Sequence, residues 1–389
     1  MYRLVYLTYL VMVSSSGVTF VFLEDVESNY GIPAWGVGMI SAITFVVGLF
    51  TAVVISPKGD QGSLLALGTA AFFMAIAGNA TIGFATDLWA IVATRGLASA
   101  GAGIFAVAGR KALIGSTVEG SAQKLGVFVS AAVTGFIAGP ALGAWLAEVG
   151  GIETPYILIA GLLAILAIPT IRWLASATIA TSDVTSGSML PLLRRAPIRA
   201  AVAGNAALFF NIGVFDSTVD EYLTDLGASN ADVGLILMVV GAPLLILPSI
   251  AGRFVDRSER PAWVLVAALV VFVPILATIS LWVSLAAFVV LGVVQTSMES
   301  FIFPSAARVA INETGASESA LGQGLMEAIG HFAAAIAAFA GPVLYDLTDG
   351  PAGSFGTSAT VAAVLAVFTA RQVKQMHRTG PVAVALRPV

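Results

Sequence analysis

Residues 135–145 read GFIAGPALGAW, three glycines and a proline inside a run otherwise apolar and long enough to cross a bilayer. Proline takes a backbone donor out of a helix, and glycine is a poor interior helix former. Yet Gly135, Gly139 and Gly143 recur every fourth residue and therefore share one helix face. Small residues at that spacing let a second backbone come close, and the proline bends the helix beside them. The stretch reads as a tightly packed, bent membrane helix at a moving interface, and it raises the question of what packs there.

The rest of the chain has the composition of a membrane protein. Of its 389 residues, 58% are hydrophobic and only 10% charged, and the mean hydropathy is +0.96; a soluble domain carries roughly 25% charged residues. Apolar runs of the length that crosses ~30 Å of hydrocarbon recur from end to end. They predict twelve spans at 3–23, 34–56, 63–84, 88–110, 123–147, 154–174, 197–222, 231–251, 262–282, 285–308, 320–344 and 353–372. The first run is longer than the apolar core of a secretory signal and lacks a convincing cleavage site, so it reads as a retained span. The absence of cysteine removes disulfides, thiol catalysis and thiolate metal sites. A net charge of −4 says nothing about partners.

The charges test the count. With both termini placed in the cytoplasm, 17 of the 18 lysines and arginines fall on the inner side, and only Arg95 lies inside a span. The opposite loops carry acids, among them Glu24, Asp25, Glu27, Asp87, Glu148, Glu153, Asp225, Asp232, Asp346 and Asp349. One span more or fewer would scramble this sorting, so the basic-residue bias supports both number and orientation. The alanine- and glycine-heavy composition suggests the inner membrane of a prokaryote.

The twelve spans also read as a repeat. A shift of 196 residues aligns Arg3 with Arg199, Gly17 with Gly213, Gly31 with Gly227, Val37 with Val233, Gly38 with Gly234 and Asp60 with Asp256. An even number of spans separates the copies, so the two six-span units run parallel. Between them SATIATSDVTSGSMLPLLRRAP (176–197) is strongly polar and reads as a cytoplasmic linker. The expected organisation is an N-terminal bundle (1–174), a linker (175–196), a C-terminal bundle (197–375) and a tail (376–389). Parallel halves around a midplane cavity are common among secondary transporters.

Several stretches resemble the major facilitator superfamily. GRFVDRSER, Gly252 to Arg260, is similar to that family's cytoplasmic loop motif, Gly-x-x-x-Asp-Arg followed by a basic residue. Its first-half counterpart SPKGDQGS keeps Asp60 but has Gln61 in place of the arginine and Ser56 in place of the glycine. RGLASAGAG, beginning at Arg95, resembles the family's arginine motif in span four. Gly126, Gly135, Gly139-Pro140 and Gly143 match its antiporter motif in span five, with Ala144 replacing the final glycine. The resemblance implies the twelve-helix fold of two six-helix bundles, with spans one, four, seven and ten lining the cavity. It also implies that span five helps close the outer side, and that Asp256, Arg257 and Arg260 belong to an inner gate with a partner such as Arg110 or Arg308. Gly341-Pro342 in span eleven is a weaker copy of the span-five pattern.

Charge inside hydrocarbon costs at least ~2.5–3.5 kcal/mol, so each instance needs a reason. Arg95 is read either as an anion site and counter-charge to a proton-accepting carboxylate or as a helix-fixing donor to carbonyls. Glu299, with Gln295 one turn away, is read as a proton-exchanging carboxyl or as a neutral, satisfied one. Glu327 and His331 are four apart on span eleven and form a candidate proton relay or a structural tie. Asp216, Asp220 and Glu221 lie toward the outer end of span seven, and by the 196-residue shift Asp220 matches Glu24 and Glu221 matches Asp25 of span one; these acids either draw cations inward or are simply solvated. Asn205, Asn211 and Gln295, with Phe209, Phe210 and Phe215, are candidates for a mixed polar–aromatic pocket.

No phosphate-binding loop, soluble nucleotide domain, metal-ligand cluster, nucleophile–base constellation or K⁺-type filter is visible. The sequence therefore predicts no enzyme, cofactor, metal or nucleic-acid partner. It predicts a monomeric secondary transporter in a lipid bilayer, driven by the proton gradient. The leading expectation is a proton-coupled antiporter exporting a small amphipathic or cationic compound. The alternatives are a proton symporter taking up an organic solute, with Arg95 binding its carboxylate, and a non-transporting receptor on the same scaffold.

Overall fold

The computed structural model describes residues 2–55, 64–115, 121–176 and 189–379. Among these residues every regular element is helical. Twelve helices are long and apolar enough to cross a membrane: Tyr2–Tyr30, Ala34–Ile55, Leu64–Ile82, Leu88–Leu113, Val127–Gly150, Glu153–Ser176, Ala196–Asp225, Asn230–Arg257, Pro261–Leu281, Leu285–Thr314, Leu321–Leu347 and Pro351–Met376. They are called the first to twelfth spans below. The eighth and tenth extend beyond their apolar runs, to Arg257 and Thr314, because helical bonding continues into the polar end turns, and the first reaches Tyr30 through a second helical piece. The connection between the tenth and eleventh is itself helical, so Leu285–Leu347 is one unbroken helical segment. Loops alternate between an acidic end, near Glu27, Asp87 and Asp346, and a basic end, near Arg172, Arg308 and Arg371.

The glycine strip of the fifth span packs inside its own half. A Cβ added at Gly135 would strike the carbonyl of Leu10, one at Gly139 would lie 2.6 Å from the carbonyl of Ser14, and one at Gly143 would lie 3.0 Å from Val18. The strip thus seats the first span of its own half, whereas the sequence reading puts it at a moving interface. Pro140 cannot donate to the carbonyl of Phe136 one turn earlier. That carbonyl instead faces Gly17, where any side chain would collide with it. Across the proline the helix stays continuous, Ser121–Gly150. The surroundings of Gly126 lie outside the described residues.

The other half meets a different face of the fifth span. Gly234 of the eighth span rests on the backbone of Pro140 and Ala141, and Gly241 rests on Ile137. The second span makes the corresponding contact with the eleventh, Gly38 lying against the backbone of Phe339. Gly213 of the seventh span likewise lies against the carbonyl of Ala334 in the eleventh, as Gly17 does in the fifth. Glycines aligned by the 196-residue shift therefore occupy equivalent crossings in the two six-helix bundles.

The halves differ in their leading spans. The seventh is one continuous helix, Ala196–Asp225, whereas the first breaks at a 3₁₀ turn, Phe20–Phe22, and restarts as Leu23–Tyr30. A restarted helix exposes N–H groups that lack intrahelical acceptors, and a carboxylate there is favoured by the helix dipole. Asp220 fills that role, its Oδ2 accepting from the Glu24 N–H at 3.0 Å. Residues equivalent under a pseudo-twofold touch only at its axis. Glu24 and Asp220 are 196 apart, so their contact marks where the axis leaves the acidic end.

A candidate transport cavity between the halves

The seventh span places its polar residues inward, with Asn205, Asn211, Asp216, Ser217, Thr218 and Asp220 all buried. Asp216 faces a cavity of about 200 Å³ bounded by the first, fifth, seventh, eighth and tenth spans. Glu299, Gln295 and Thr296 of the tenth span line the same cavity, and Phe20, Phe136, Ile137, Pro140 and Phe215 contribute to its apolar wall together with residues of the eighth span. The fourth span does not line it. Arg95 instead reaches Asp216, its Nη2 standing 3.8 Å from Oδ2, with both side chains 3% exposed. Arg95 Nε donates to Thr44 Oγ1 at 3.2 Å, Thr44 in turn lies 3.2 Å from Ser99 Oγ, and the guanidinium carbon sits 5.7 Å from the centre of the Phe20 ring.

Glu299 is held by amides. Its Oε1 accepts from Asn211 Nδ2 and from Gln295 Nε2, each at 3.1 Å. Ser358 of the twelfth span donates to Asn211 Oδ1 at 3.1 Å and fixes which way that amide points. Thr296 donates to the Val240 carbonyl at 2.6 Å and ties the tenth span to the eighth. Nothing in the sequence marks Thr44, Ser99 and Ser358, because a lone hydroxyl in an apolar helix has no distinguishing pattern.

Of the remaining candidates, Phe215 alone lies on the cavity wall. Asn205 donates to the Met326 carbonyl at 2.9 Å and joins the seventh and eleventh spans away from the cavity. Of the three phenylalanines, Phe215 lines the cavity and stacks on Phe288 at 6.1 Å, whereas Phe209 packs on the His331 ring at 5.5 Å. The side chains of Glu327 and His331 do not pair. His331 Nδ1 lies 2.8 Å from the Glu327 backbone carbonyl, and its ring fills the space left by Gly48. The Glu327 carboxylate turns to Arg110, 3.7 Å away. Four-residue spacing places both on one face but does not set their rotamers.

Arg110 and Glu327 join the fourth span to the eleventh, and so one half to the other, at the basic end. Asp256 pairs with Arg308 at 3.6 Å within the second half. Arg257 closes the eighth span, Gly252 borders open space, and the Arg260 N–H donates to Ser258 Oγ at 3.2 Å. Asp60 lies outside the described residues. The Arg110–Glu327 pair is 46% and 37% exposed, and such pairs contribute ~0–1 kcal/mol to stability. Glu327→Gln should therefore leave the melting temperature almost unchanged while increasing labelling of an engineered thiol at the basic end of the cavity. Swapping the charges, Arg110→Glu with Glu327→Arg, should restore protection; no change in labelling would remove the pair from gating.

Among the described residues no group of three His, Asp or Glu could hold a metal ion. No curated protein sequence matches the chain. Many solved structures share its fold, among them three transporters. A bacterial homologue of the human lysosomal transporter Spinster, inward-facing and occupied, is 11% identical with a TM-score of 0.78, covering 97% of each chain. The nucleoside transporter NupG is 12% identical with a TM-score of 0.72, covering 96% of this chain and 98% of its own. The human organic anion transporter MFSD10 (TETRAN) is 15% identical with a TM-score of 0.61, covering 94% and 99%. The family model for the Major Facilitator Superfamily matches residues 5–203 and again 201–386. A twelve-helix chain whose two halves each carry that signature is a multi-pass membrane transporter rather than an enzyme, and it belongs to the Major Facilitator Superfamily.

Proposed function

We propose that the protein is a proton-coupled antiporter that exports a small amphipathic or cationic compound by alternating access. The observation that carries this reading is the pair of carboxyls, Asp216 and Glu299, on the wall of one largely aromatic and aliphatic cavity between the halves. Such a wall offers an apolar body its contact area and a positive group its counter-charge. Its bundles are 1–174 and 197–375, and its termini and basic end face the cytoplasm of a prokaryotic cell.

Glu299 is the proton carrier in this reading. Gln295 presents its NH₂ to the carboxylate, and its own Oε1 has no partner among the described residues. Turned over, the same amide accepts from a protonated Glu299, so both protonation states find a hydrogen bond. Proton and substrate need only bias one conformational equilibrium in opposite senses.

The test is reconstitution in liposomes under an imposed pH gradient. Lumenal pH is followed while a panel of lipophilic cations and neutral drugs is added to wild type and Glu299→Gln. Substrate-triggered proton movement in wild type, lost in the variant, is the expected result. Unchanged movement in the variant would take the coupling proton away from Glu299. Silence toward every compound would overturn export, and proton movement driven by organic anions would favour uptake through Arg95.

A further inference from the structure

The Arg95–Asp216 pair crosses from one half to the other, yet it is incomplete as an ion pair. At 3.8 Å it lies beyond hydrogen-bond distance. Neither Nη of Arg95 and neither Oδ of Asp216 has a hydrogen-bond partner among the described residues. Buried polar groups are almost always hydrogen-bonded, so two bare carboxylate oxygens beside a cavity mark a place where donors belong. Asp216 lines that cavity and Arg95 does not. Both charged groups on the wall are acids, Asp216 and Glu299, and the Thr296 hydroxyl is already given to Val240. Phe20, Phe136 and Phe215 add aromatic rings, which attract cations. An entering molecule therefore meets acceptors and π faces and no lining cation.

We propose that Asp216 docks the ammonium group of a small aromatic amine, and that Arg95 is a built-in competitor that holds Asp216 when no amine is bound. The incoming N–H groups satisfy the carboxylate oxygens that Arg95 leaves bare. Arg95 then rests on Thr44 and Phe20, which already hold it. Because Arg95 and Asp216 belong to opposite halves, each amine that binds unties the halves at this point. Asp216 is then the cation site, and Glu299, 83 residues on in the same half, remains for the proton. This rests on the transport reading above but is tested by binding, so a failure of proton flux with amine binding intact would sink the coupling alone.

The experiment uses the full chain in nanodiscs and three probes of one shape: phenethylammonium, 2-phenylethanol and phenylacetate. Binding is measured calorimetrically for wild type, Arg95→Gln, Asp216→Asn and the charge-balanced double variant. The cation should bind best. Removing the competitor in Arg95→Gln should tighten it roughly tenfold, since a site freed from competition is fully populated. The double variant, which stays neutral even if Asp216→Asn alone does not fold, should lose the cation. Preference for phenylacetate, weaker cation binding by Arg95→Gln, or cation binding retained by the double variant would each overturn the proposal.

Discussion

A leucine at Gly38 should stop transport and leave the cavity open to the acidic end. Gly38 lies against the backbone of Phe339 in the opposite half, so even the first added carbon collides, and the neighbour is a carbonyl that cannot rotate aside. The contact lies between the halves, so the strain falls on their approach. Overpacking costs ~1–3 kcal/mol, which shifts a two-state equilibrium by roughly 5–150-fold. The equivalent crossing at Gly234 has 3.0 Å to the Pro140 carbonyl and should respond in the same way. The chain has no cysteine, so Ile137→Cys on the cavity wall is a clean reporter. A membrane-impermeant thiol reagent applied at the acidic end should label it much faster in the Gly38→Leu background. Equal labelling would show that this crossing is not the closure.

Asp216→Asn should destabilise the protein strongly. It leaves Arg95 charged, 2% exposed and without its counter-ion. Breaking a buried pair by removing one partner costs ~3–5 kcal/mol, more than the pair contributes when intact. Adding Arg95→Gln removes the stranded charge, so the double variant should be more stable than Asp216→Asn alone. Melting curves on wild type, the two single variants and the double variant decide it. Strict additivity, with the double variant least stable of all, would mean that the two charges do not sense each other.

The spans were legible because crossing hydrocarbon demands length and apolarity, which a sequence states directly. Arg95, Asp216 and Glu299 were legible for the opposite reason, as charges where charge is costly. What each helix faces was not. Gly135, Gly139 and Gly143 announce a close contact, but their partner is the first span, and the crossing between halves uses Ile137, Pro140 and Ala141 on another face. Rotation about a helix axis is set by the neighbours, and no periodicity within one helix reports it. Glu327 likewise gave its depth but not its partner, since Arg110 comes from a span more than two hundred residues earlier.

The contact of Glu24 with Asp220 bears on how such a molecule can be built from two similar halves. In a dimer of identical half-chains, a residue on the twofold would face its own copy, and acid would oppose acid at the mouth of the bundle. A single fused chain escapes that restriction. One leading helix breaks at Phe20–Phe22 and offers a backbone N–H, while the other stays whole and offers the carboxylate. The seam that symmetry would have made repulsive becomes a hydrogen bond, available only to a protein whose two ancestors-in-form are free to drift apart.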